Sequence, residues 1–439
     1  MKHSTTPSLK RATLFSIAGA IIYGVGLVLM DVAIAHRYGT GTQAAVYQAA
    51  YLIPTVLIGM LSGGAIFGAF VPVFIRLGGQ RHLPEAEEFL RSSAGLVLAI
   101  LIPLVMLLMV FAPVLSVGVA SGFDQAGRQE VTNALRLMLP MLVPHGLAFV
   151  YGGALVSIGR VGLANLTPLL IPLTGLATYP WWGADNGAEL IAIGYLLGAF
   201  FLSMVMGLRL RLDGFRAAPA RPARSPEWKA FLHSYVMTAM AYAALSALLL
   251  VNQAVAGSLS SRDLAAFSYG TKLVLLALAF FTTIVNSVAL PHFSSIASRL
   301  DREEIWPYVR SFALRAFMLA SLGTLLWAFL ANLIVDVVYA RGEFTAADVA
   351  LVADVQRIFV LQVPFYVVGV FCWRMLNALG KWKPLVVASL SALVMDITVV
   401  SWLASDYNAP AIAVAHVLSI AAWALILLYA LRARLKVAC

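Results

Sequence analysis

Long apolar segments separated by short polar connections run through almost the whole chain. A helix needs about 20 apolar residues to cross the hydrocarbon core of a bilayer, and each segment is about that long or longer. Hydrophobic residues make up 61% of the 439 residues and charged residues 11%, whereas soluble domains have about 45–50% and about 25%. The sequence therefore predicts an all-α polytopic membrane protein with about twelve transmembrane helices. The predicted spans are roughly 12–35, 46–74, 92–119, 134–158, 163–181, 188–208, 229–256, 264–290, 311–339, 355–379, 384–404 and 410–431.

Lys and Arg are concentrated in every second connection, and the longest of these is residues 209–228. The connections that alternate with them hold only Arg37, Arg128, Arg262 and Arg341. Because basic loops stay on the cytoplasmic side of a membrane, this asymmetry predicts that both termini are cytoplasmic. The net charge of +10 is then explained by topology and by contact with anionic membrane lipids, and no nucleic-acid partner is expected.

The two halves of the chain resemble each other. The segment AFVPVF at 69–74 matches VALPHF at 288–293, 219 residues later, and Pro144 matches Pro364 at a spacing of 220. With an even number of spans in each half, both repeats have the same orientation, as in transporters built from parallel repeats. The predicted domains are an N-terminal six-helix lobe at 1–208, a cytoplasmic linker at 209–228 and a C-terminal six-helix lobe at 229–439.

Motifs of soluble catalysis do not occur in the sequence. It contains no GxxxxGK[ST], HExxH, GxSxG or CxxC pattern, and it has only two cysteines. No catalytic residue, metal site or cofactor is therefore expected, and the class predicted is a secondary transporter or flippase with two lobes that rock about a central site. A membrane polysaccharide polymerase or ligase is an alternative, which the short outer loops without paired carboxylates disfavour.

Charged residues inside the spans are the functional candidates, because each costs free energy in lipid. Lys272 lies about 12 Å into its span, and it belongs either to a substrate or ion site or to a structural ion pair. Asp396, in the middle of LVMDITVV, is a candidate coupling-ion or proton site, and the alternative is a structural, hydrogen-bonded carboxylate. Asp31 is a second ion-coupling candidate, unless it lies at the membrane interface.

Several other intramembrane polar residues have structural explanations beside functional ones. Arg374 either extends to the cytoplasmic surface or lines an inner gate where it contacts substrate. Asn252 is a candidate substrate ligand, although amides in spans more often form hydrogen bonds between helices. His145 and His416 are single intramembrane histidines, for which a proton-relay role is the minor interpretation.

The sequence resembles the MurJ/MviN family of lipid II flippases over nearly its whole length. The resemblance is carried by segments such as SIGRVGLANLTPLLIPL at 157–173 and LLVNQAVAGSL at 249–259. The most specific parts are RGEFT at 341–345, after the ninth predicted span, and the ALG turn at 378–380, after the tenth. Their order and spacing together identify the chain as similar to this family.

This resemblance implies the multidrug/oligosaccharidyl-lipid/polysaccharide exporter fold, a bacterial inner-membrane location and alternating access. It also implies a lipid-linked saccharide as cargo in a cationic cavity, since Arg or Lys would match a pyrophosphate. The expected protein is a monomer among membrane lipids, driven by Na⁺, H⁺ or the membrane potential. A cation-coupled multidrug or small-amphiphile exporter of the same fold is the alternative.

The cavity positions depart from the family's pattern. Lys272 aligns with a family arginine and Arg374 with a basic residue, whereas Asn252 stands where the family has an aspartate. The family usually has fourteen spans, whereas twelve are predicted here, so the family's last two spans are expected to be missing. The positions where the family's charges are replaced by uncharged residues are Gly24, Met30, Ala45, Ile58, Gly59 and Leu275. The resemblance therefore carries the fold further than it carries the cargo.

Overall fold

A computed structural model of the chain describes residues 9–62, 65–221, 226–284, 302–379, 381–403 and 409–436. These residues form helices joined by short connections, and no strand occurs among them. The described α-helices are, in chain order, α1 (Leu9–Tyr38), α2 (Thr42–Ser62), α3 (Ala65–Arg76), α4 (Pro84–Val110), α5 (Ala112–Val119), α6 (Gln125–Met138), α7 (Leu142–Ser157), α8 (Val161–Leu166), α9 (Leu170–Ala177), α10 (Gly187–Leu212), α11 (Pro226–Leu259), α12 (Ser261–Ile284), α13 (Arg302–Tyr339), α14 (Ala346–Phe359), α15 (Val363–Ala378), α16 (Lys383–Leu403) and α17 (Ala409–Lys436).

Eleven helical runs of the described residues are long and apolar enough to cross a membrane. They follow the predicted spans closely: the span predicted at 384–404, for example, is α16. The span predicted at 264–290 corresponds to α12, and its residues beyond Ile284 lie outside the described part of the chain. The prediction of an all-α polytopic membrane protein is confirmed.

The helices separate a lipid-facing surface from a closely packed interior by residue size as much as by polarity. On α13, Phe329 is 83% exposed and Leu319 is 74% exposed, which is the surface that hydrocarbon chains cover. In the interior of the second half, α16 and α17 bury Ala388, Ala392 and Ala424. Small residues let helix backbones approach closely where no hydrophobic effect drives the helices together.

Proline interrupts a long span at matching positions of the two halves. A short 3₁₀ turn, Leu139–Met141, separates α6 from α7 next to Pro140, and another, Val360–Gln362, separates α14 from α15 next to Pro364. Proline lacks a backbone N–H and displaces the preceding turn, so the ladder of hydrogen bonds breaks there. The two breaks lie at matching positions of the proposed repeat, whose segment 288–293 falls outside the described residues.

The chain forms two compact units that do not coincide with its two halves. Unit 1 comprises residues 1–33 and 46–239, and unit 2 comprises residues 34–45 and 240–439. The chain passes from one unit to the other within α1, within α2 and within α11. The connection between α1 and α2 therefore belongs to unit 2, although its sequence lies in the N-terminal half.

Residues 213–221, here named the strap, belong to the predicted linker 209–228 and lie in unit 1. The Ala220 amide donates to the Arg91 carbonyl at 2.9 Å, and the Arg91 side chain donates to the Ala218 carbonyl at 3.1 Å. The strap is therefore held against α4 by hydrogen bonds.

The strap begins at a carboxylate held by two arginines. Asp213 accepts hydrogen bonds from Arg160 at 2.8 Å and from Arg209 at 2.7 Å. Burial raises the pKa of the Asp213 carboxyl, but the hydrogen bonds and charges of Arg160 and Arg209 outweigh this and place the pKa below its usual value. This ion pair fixes the end of α10 to the turn before α8.

Candidate functional site

Three helices of unit 2 each contribute one buried polar side chain to a common cluster. Asn252 on α11 and Asp396 on α16 have no exposed surface, and His416 on α17 is 5% exposed. The Asn252 Nδ2 lies 3.3 Å from Asp396 Oδ1 and 3.0 Å from His416 Nδ1. The structure thus brings together two of the predicted site residues, Asn252 and Asp396, and adds His416 to them.

Two oxygens of this cluster, Asp396 Oδ2 and Asn252 Oδ1, have no hydrogen-bond partner among the described residues. Buried polar atoms almost always have one, so an orphaned pair of acceptor oxygens requires an explanation. A carboxylate deep in a bilayer costs about 2.5–3.5 kcal/mol on insertion scales unless its charge is neutralised. A proton or a small cation would both neutralise the carboxylate and satisfy the oxygens.

The His416 ring is held in one orientation. Its face stacks on Phe359 with ring centroids 4.8 Å apart, and with Asn252 as the donor its Nδ1 accepts a hydrogen bond. In that arrangement the ring proton is on Nε2, and the imidazole contributes no positive charge next to Asp396. The single formal charge of the cluster is therefore that of the carboxylate.

The ligand types fit a hard monovalent ion or a proton better than a transition metal. Carboxylate and amide oxygens are the ligands that hard cations prefer. No group of three or more His, Cys, Asp or Glu residues suited to hold a metal ion occurs in the described part of the chain.

Arg374 lies in a different part of unit 2, among aromatic side chains. It interacts electrostatically with the hydroxyl of Tyr242, whose ring packs on Trp373 with centroids 4.9 Å apart. Its Nε atom is buried and has no hydrogen-bond partner among the described residues. Tyr242 precedes Asn252 by ten residues on α11, about 15 Å along the helix axis. Arg374 is therefore separate from the Asn252–Asp396 pair.

Lys272 is half-buried on α12, directly after the fully buried Thr271. The same helix packs closely on α14, because Gly270 leaves room for Val355. Lys272 is thus carried by a helix that is firmly packed within unit 2.

Asp31 lies in unit 1 and is only 6% exposed, so it is buried within the protein. It interacts electrostatically with the hydroxyl groups of Tyr47 and Tyr51 from α2 and of Tyr195 from α10. The hydroxyls of Tyr47 and Tyr195 are 3.1 Å apart, and the ring centroids of Tyr51 and Tyr195 are 5.2 Å apart. Asp31 and Asp396 therefore belong to separate polar clusters.

The sequence predicts the charged residues of the candidate site better than it predicts the side chains that contact them. A proton-relay role for His416 is only the minor interpretation of the sequence. Its contact with Asn252 depends on how α11 and α17 pack. The tyrosines around Asp31 carried a detectable signal, because Tyr47 and Tyr51 are four residues apart and so lie on one face of a helix.

Comparisons with known proteins agree on family and fold. The curated relatives include proteins named "Probable lipid II flippase MurJ" from Rhizobium tropici and from Synechocystis sp. The first is 27% identical over 361 residues, covering 80% of this chain and 66% of the relative. The second is 28% identical over 397 residues, covering 84% and 71%. The chain thus spans about two thirds to seven tenths of the length of these relatives.

Solved structures with the same fold come from two kinds of transporter. A lipid II flippase MurJ in an inward closed conformation superposes with a TM-score of 0.79 at 19% identity, covering 97% of this chain and 87% of the other. An inward-facing multidrug resistance MATE family transporter of the MOP superfamily superposes with a TM-score of 0.80 at 12% identity, covering 97% and 98%. At such identities these likenesses establish the fold alone.

The family model described as "Lipid II flippase MurJ" matches residues 34–438, which include Lys272, Arg374 and the Asn252–Asp396–His416 cluster. Because the match covers most of the chain, this multi-pass inner-membrane protein belongs to the lipid II flippase MurJ family.

Proposed function

We propose that this protein is an alternating-access flippase that carries lipid II, or a related undecaprenyl-diphosphate glycolipid, across the inner membrane. The family match over residues 34–438 is the observation that supports this most directly. Movement of the two compact units against each other would present the cargo first to one side of the membrane and then to the other.

The proposed coupling site is the Asn252–Asp396–His416 cluster. Its two orphaned oxygens would hold Na⁺ or a proton, and filling or emptying the site changes the charge inside unit 2. A ligand shifts a conformational equilibrium only by its difference in affinity for the two states. The cluster would therefore bind its ion more tightly in one state of the transport cycle than in the other.

Lys272 and Arg374 are the proposed contacts for the diphosphate of the cargo. An ammonium and a guanidinium both bind phosphate oxygens, and the guanidinium does so with two parallel N–H groups. Arg374 has an Nε atom that makes no hydrogen bond in the described part of the chain, and this donor would pair with a phosphate oxygen. Fewer basic residues than the family pattern imply weaker binding of each diphosphate and easier release.

A cation-coupled exporter of small amphiphiles is the second candidate. Gly24, Met30, Ile58 and Gly59 stand where the resemblance expects arginines, and a less cationic interior favours uncharged or cationic cargo. The MATE-like fold is compatible with this candidate too.

Reconstituted protein in liposomes distinguishes the two candidates. We expect wild-type protein to translocate fluorescent lipid II, and Lys272→Ala to slow it by about tenfold, which corresponds to about 1.4 kcal/mol. Lys383→Ala, at an exposed position at the start of α16, is the matched control and keeps the wild-type rate. Transport of cationic dyes without lipid II translocation would instead establish the exporter. Rescue of a flippase-depleted strain, with the protein level checked in membranes, tests the same proposal in cells.

The proposed topology has both termini in the cytoplasm, and the proposed functional unit is a monomer. The distribution of Lys and Arg supports the orientation. Single cysteines at the exposed Arg216 and Glu343 positions should react with a membrane-impermeant thiol reagent from opposite sides of the membrane. The proposed orientation puts position 216 on the cytoplasmic side and position 343 on the outer side. Labelling of position 216 from outside, or of position 343 only from the cytoplasmic side, would overturn it, and the mass of the protein in detergent tests the oligomeric state.

A further inference from the structure

A groove opens on the lipid-facing surface of unit 2 where α13 ends and α14 begins. Its volume is about 400 Å³, and it has no part in the proposed cargo or coupling sites. Here it is named the outer groove, because the sequence predicts that this end of α13 lies on the extracytoplasmic side. The residues that line it are Asn332, Leu333 and Asp336 of α13 and Ala346, Val349 and Ala350 of α14.

Before it reaches the groove, α13 presents an apolar face to lipid. Leu322, Phe329 and Leu333 are all more than half exposed. From Leu322 to Leu333 this face extends for about 16 Å along the helix axis. Asp336 comes three residues before the end of α13 at Tyr339, so its carboxylate is expected at the level of the lipid headgroups. The outer groove thus joins an opening at headgroup level to an apolar surface on which part of an acyl chain can lie.

Two exposed hydrogen-bond acceptors form the α13 wall of the groove. Asn332 and Asp336 are four residues apart, so they lie on the same face of the helix. The Asp336 carboxylate forms no hydrogen bond or ion pair with another described residue. Arg341, the nearest basic residue in the sequence, donates instead to the Val337 carbonyl at 2.8 Å. The groove therefore carries a carboxylate that no cation of the described residues neutralises.

The α14 wall of the groove offers hydrogen-bond donors. This helix begins at Ala346, and the side chain of the cap residue Thr345 accepts from the Asp348 amide at 3.3 Å. The amides of Ala346 and Ala347 belong to the first turn and have no acceptor within the helix. Such amides, together with the positive end of the helix dipole, favour an anionic group. The Asp348 carboxylate does not counteract this, because Arg262 pairs with it at 2.9 Å.

Acceptors on one wall and donors on the other match a zwitterion. A primary ammonium brings three N–H donors for Asp336 and Asn332, and a phosphate accepts from the α14 amides. Ca²⁺ takes about six to eight oxygen ligands, more than this wall supplies. A quaternary ammonium has no N–H and is bound by aromatic side chains, and none of the six lining residues is aromatic. The groove thus fits the headgroup of a phospholipid with a primary ammonium.

We propose that the outer groove binds phosphatidylethanolamine from the outer leaflet. Its ammonium binds Asp336 and Asn332, its phosphate binds the amides at the start of α14, and one acyl chain lies along α13. This inference goes beyond the proposed transport function and does not depend on the cargo. Because all of the lining residues belong to unit 2, the lipid is a ligand of that unit alone.

Lipid binding to the purified, delipidated full chain tests the site. Phosphatidylethanolamine, phosphatidylcholine and phosphatidylglycerol with the same acyl chains are titrated in detergent, and native mass spectrometry counts the bound lipids. We expect the wild type to bind phosphatidylethanolamine most tightly. Asp336→Asn should weaken that binding by about fivefold, the upper range for an exposed ion pair, without weakening phosphatidylglycerol binding. Equal wild-type affinity for phosphatidylethanolamine and either other lipid, or equal phosphatidylethanolamine affinity in wild type and Asp336→Asn, overturns the proposal.

Two further variants control for charge and for position. Asp354→Asn removes an exposed carboxylate of α14 outside the groove, and it should keep wild-type binding of phosphatidylethanolamine. Asp336→Lys reverses the charge of the groove and should prefer phosphatidylglycerol. A loss of phosphatidylethanolamine binding in Asp354→Asn, or an unchanged preference in Asp336→Lys, contradicts the assignment. Since Asp336 is exposed, its variants should unfold at the wild-type temperature.

Photo-cross-linking locates the bound lipid. Phosphatidylethanolamine with a diazirine in one acyl chain should label residues 322–336, and excess phosphatidylethanolamine should compete better than phosphatidylglycerol. Ala350→Trp fills the groove without changing its charge and should lower the labelling, whereas Val394→Trp, at a 64% exposed position of α16, should not. Label spread evenly over the lipid-facing helices would indicate a non-specific lipid shell and overturn the site. Neither measurement uses lipid II, so absence of lipid II translocation refutes only the proposed function.

Discussion

Two buried carboxylates, one in each unit, lie in opposite chemical surroundings. Asp31 interacts electrostatically with the hydroxyls of three tyrosines, which are polar groups with O–H donors. Asp396 accepts a hydrogen bond from the Asn252 amide and interacts with the Ser419 hydroxyl, and its Oδ2 has no hydrogen-bond partner among the described residues. The contrast teaches that burial alone does not make an ion site, because a carboxylate with nearby donors is stabilised as an anion. A buried carboxylate that keeps one oxygen without a donor is stabilised by a proton or a cation.

The largest effect is expected at Asp396. Asp396→Asn removes the only formal charge of its cluster, so the protein can no longer change state by taking up an ion. Translocation should fall by at least about tenfold, or about 1.4 kcal/mol, and should lose its dependence on a Na⁺ or H⁺ gradient. Initial rates in liposomes with and without each gradient measure this. A variant that keeps full gradient dependence would remove Asp396 from the coupling site.

A gain of function is expected at Asn252. Asn252→Asp restores the acidic residue that the family resemblance implies and places a second carboxylate within reach of the same ion. The apparent affinity for Na⁺ should rise by about threefold to tenfold, or about 0.7–1.4 kcal/mol, in titrations of transport against Na⁺. Asn252→Leu is the opposite control and should weaken ion dependence. No change in either variant would show that the orphaned Asn252 oxygen is not a ligand.

Asp31 should affect stability more than coupling. Asp31→Asn replaces a charged acceptor near the tyrosine hydroxyls with a neutral one, at a cost of about 1–2 kcal/mol. Thermal unfolding in detergent should reveal this loss, while ion dependence stays as in the wild type. If ion dependence disappears instead, the contrast between the two carboxylates is wrong.

The smallest effect is expected at Asp213, a third carboxylate that is well supplied with donors. Its pKa is lowered in the folded protein, so its stabilising contribution is present above the usual carboxyl pKa of about 3.9. The contribution is lost as the pH falls through the lower pKa of the folded state. Asp213→Asn should lower stability by about 1 kcal/mol or less near neutral pH. The difference from wild type should vanish below that pKa in unfolding scans, and a difference that grows with acidity would contradict the ion pair.

Much of the fold could be predicted because a membrane-spanning helix is recognised from the residues of its own segment. Each span is set by the length of an apolar run, and α16 follows the predicted 384–404 almost residue by residue. Pro364 likewise marks the break between α14 and α15. The assignment of residues 34–45 to unit 2 could not be read in this way, because it depends on contacts with residues some 300 positions later in the sequence.

Only part of the candidate site could be predicted from the sequence. Asp396 stood out because a carboxylate in the middle of a span is costly. That Asn252 is its partner could not be predicted, since the two are 144 residues apart and their contact depends on the rotation of α11 and α16. The prediction that Lys272 and Arg374 bind cargo stays a prediction, which the liposome experiments address.

The RGEFT segment at 341–345 bears on how relatives of this protein are identified. Gly342 has a left-handed backbone, and the His36 carbonyl leaves no room for a side chain there, while Thr345 and Asp348 cap the start of α14. A motif of this kind indicates the fold and carries no information about the transported molecule. A search with the RGEFT motif would therefore find proteins that share this fold. Their cargo and coupling ion would have to be compared at positions 252, 272, 374, 396 and 416.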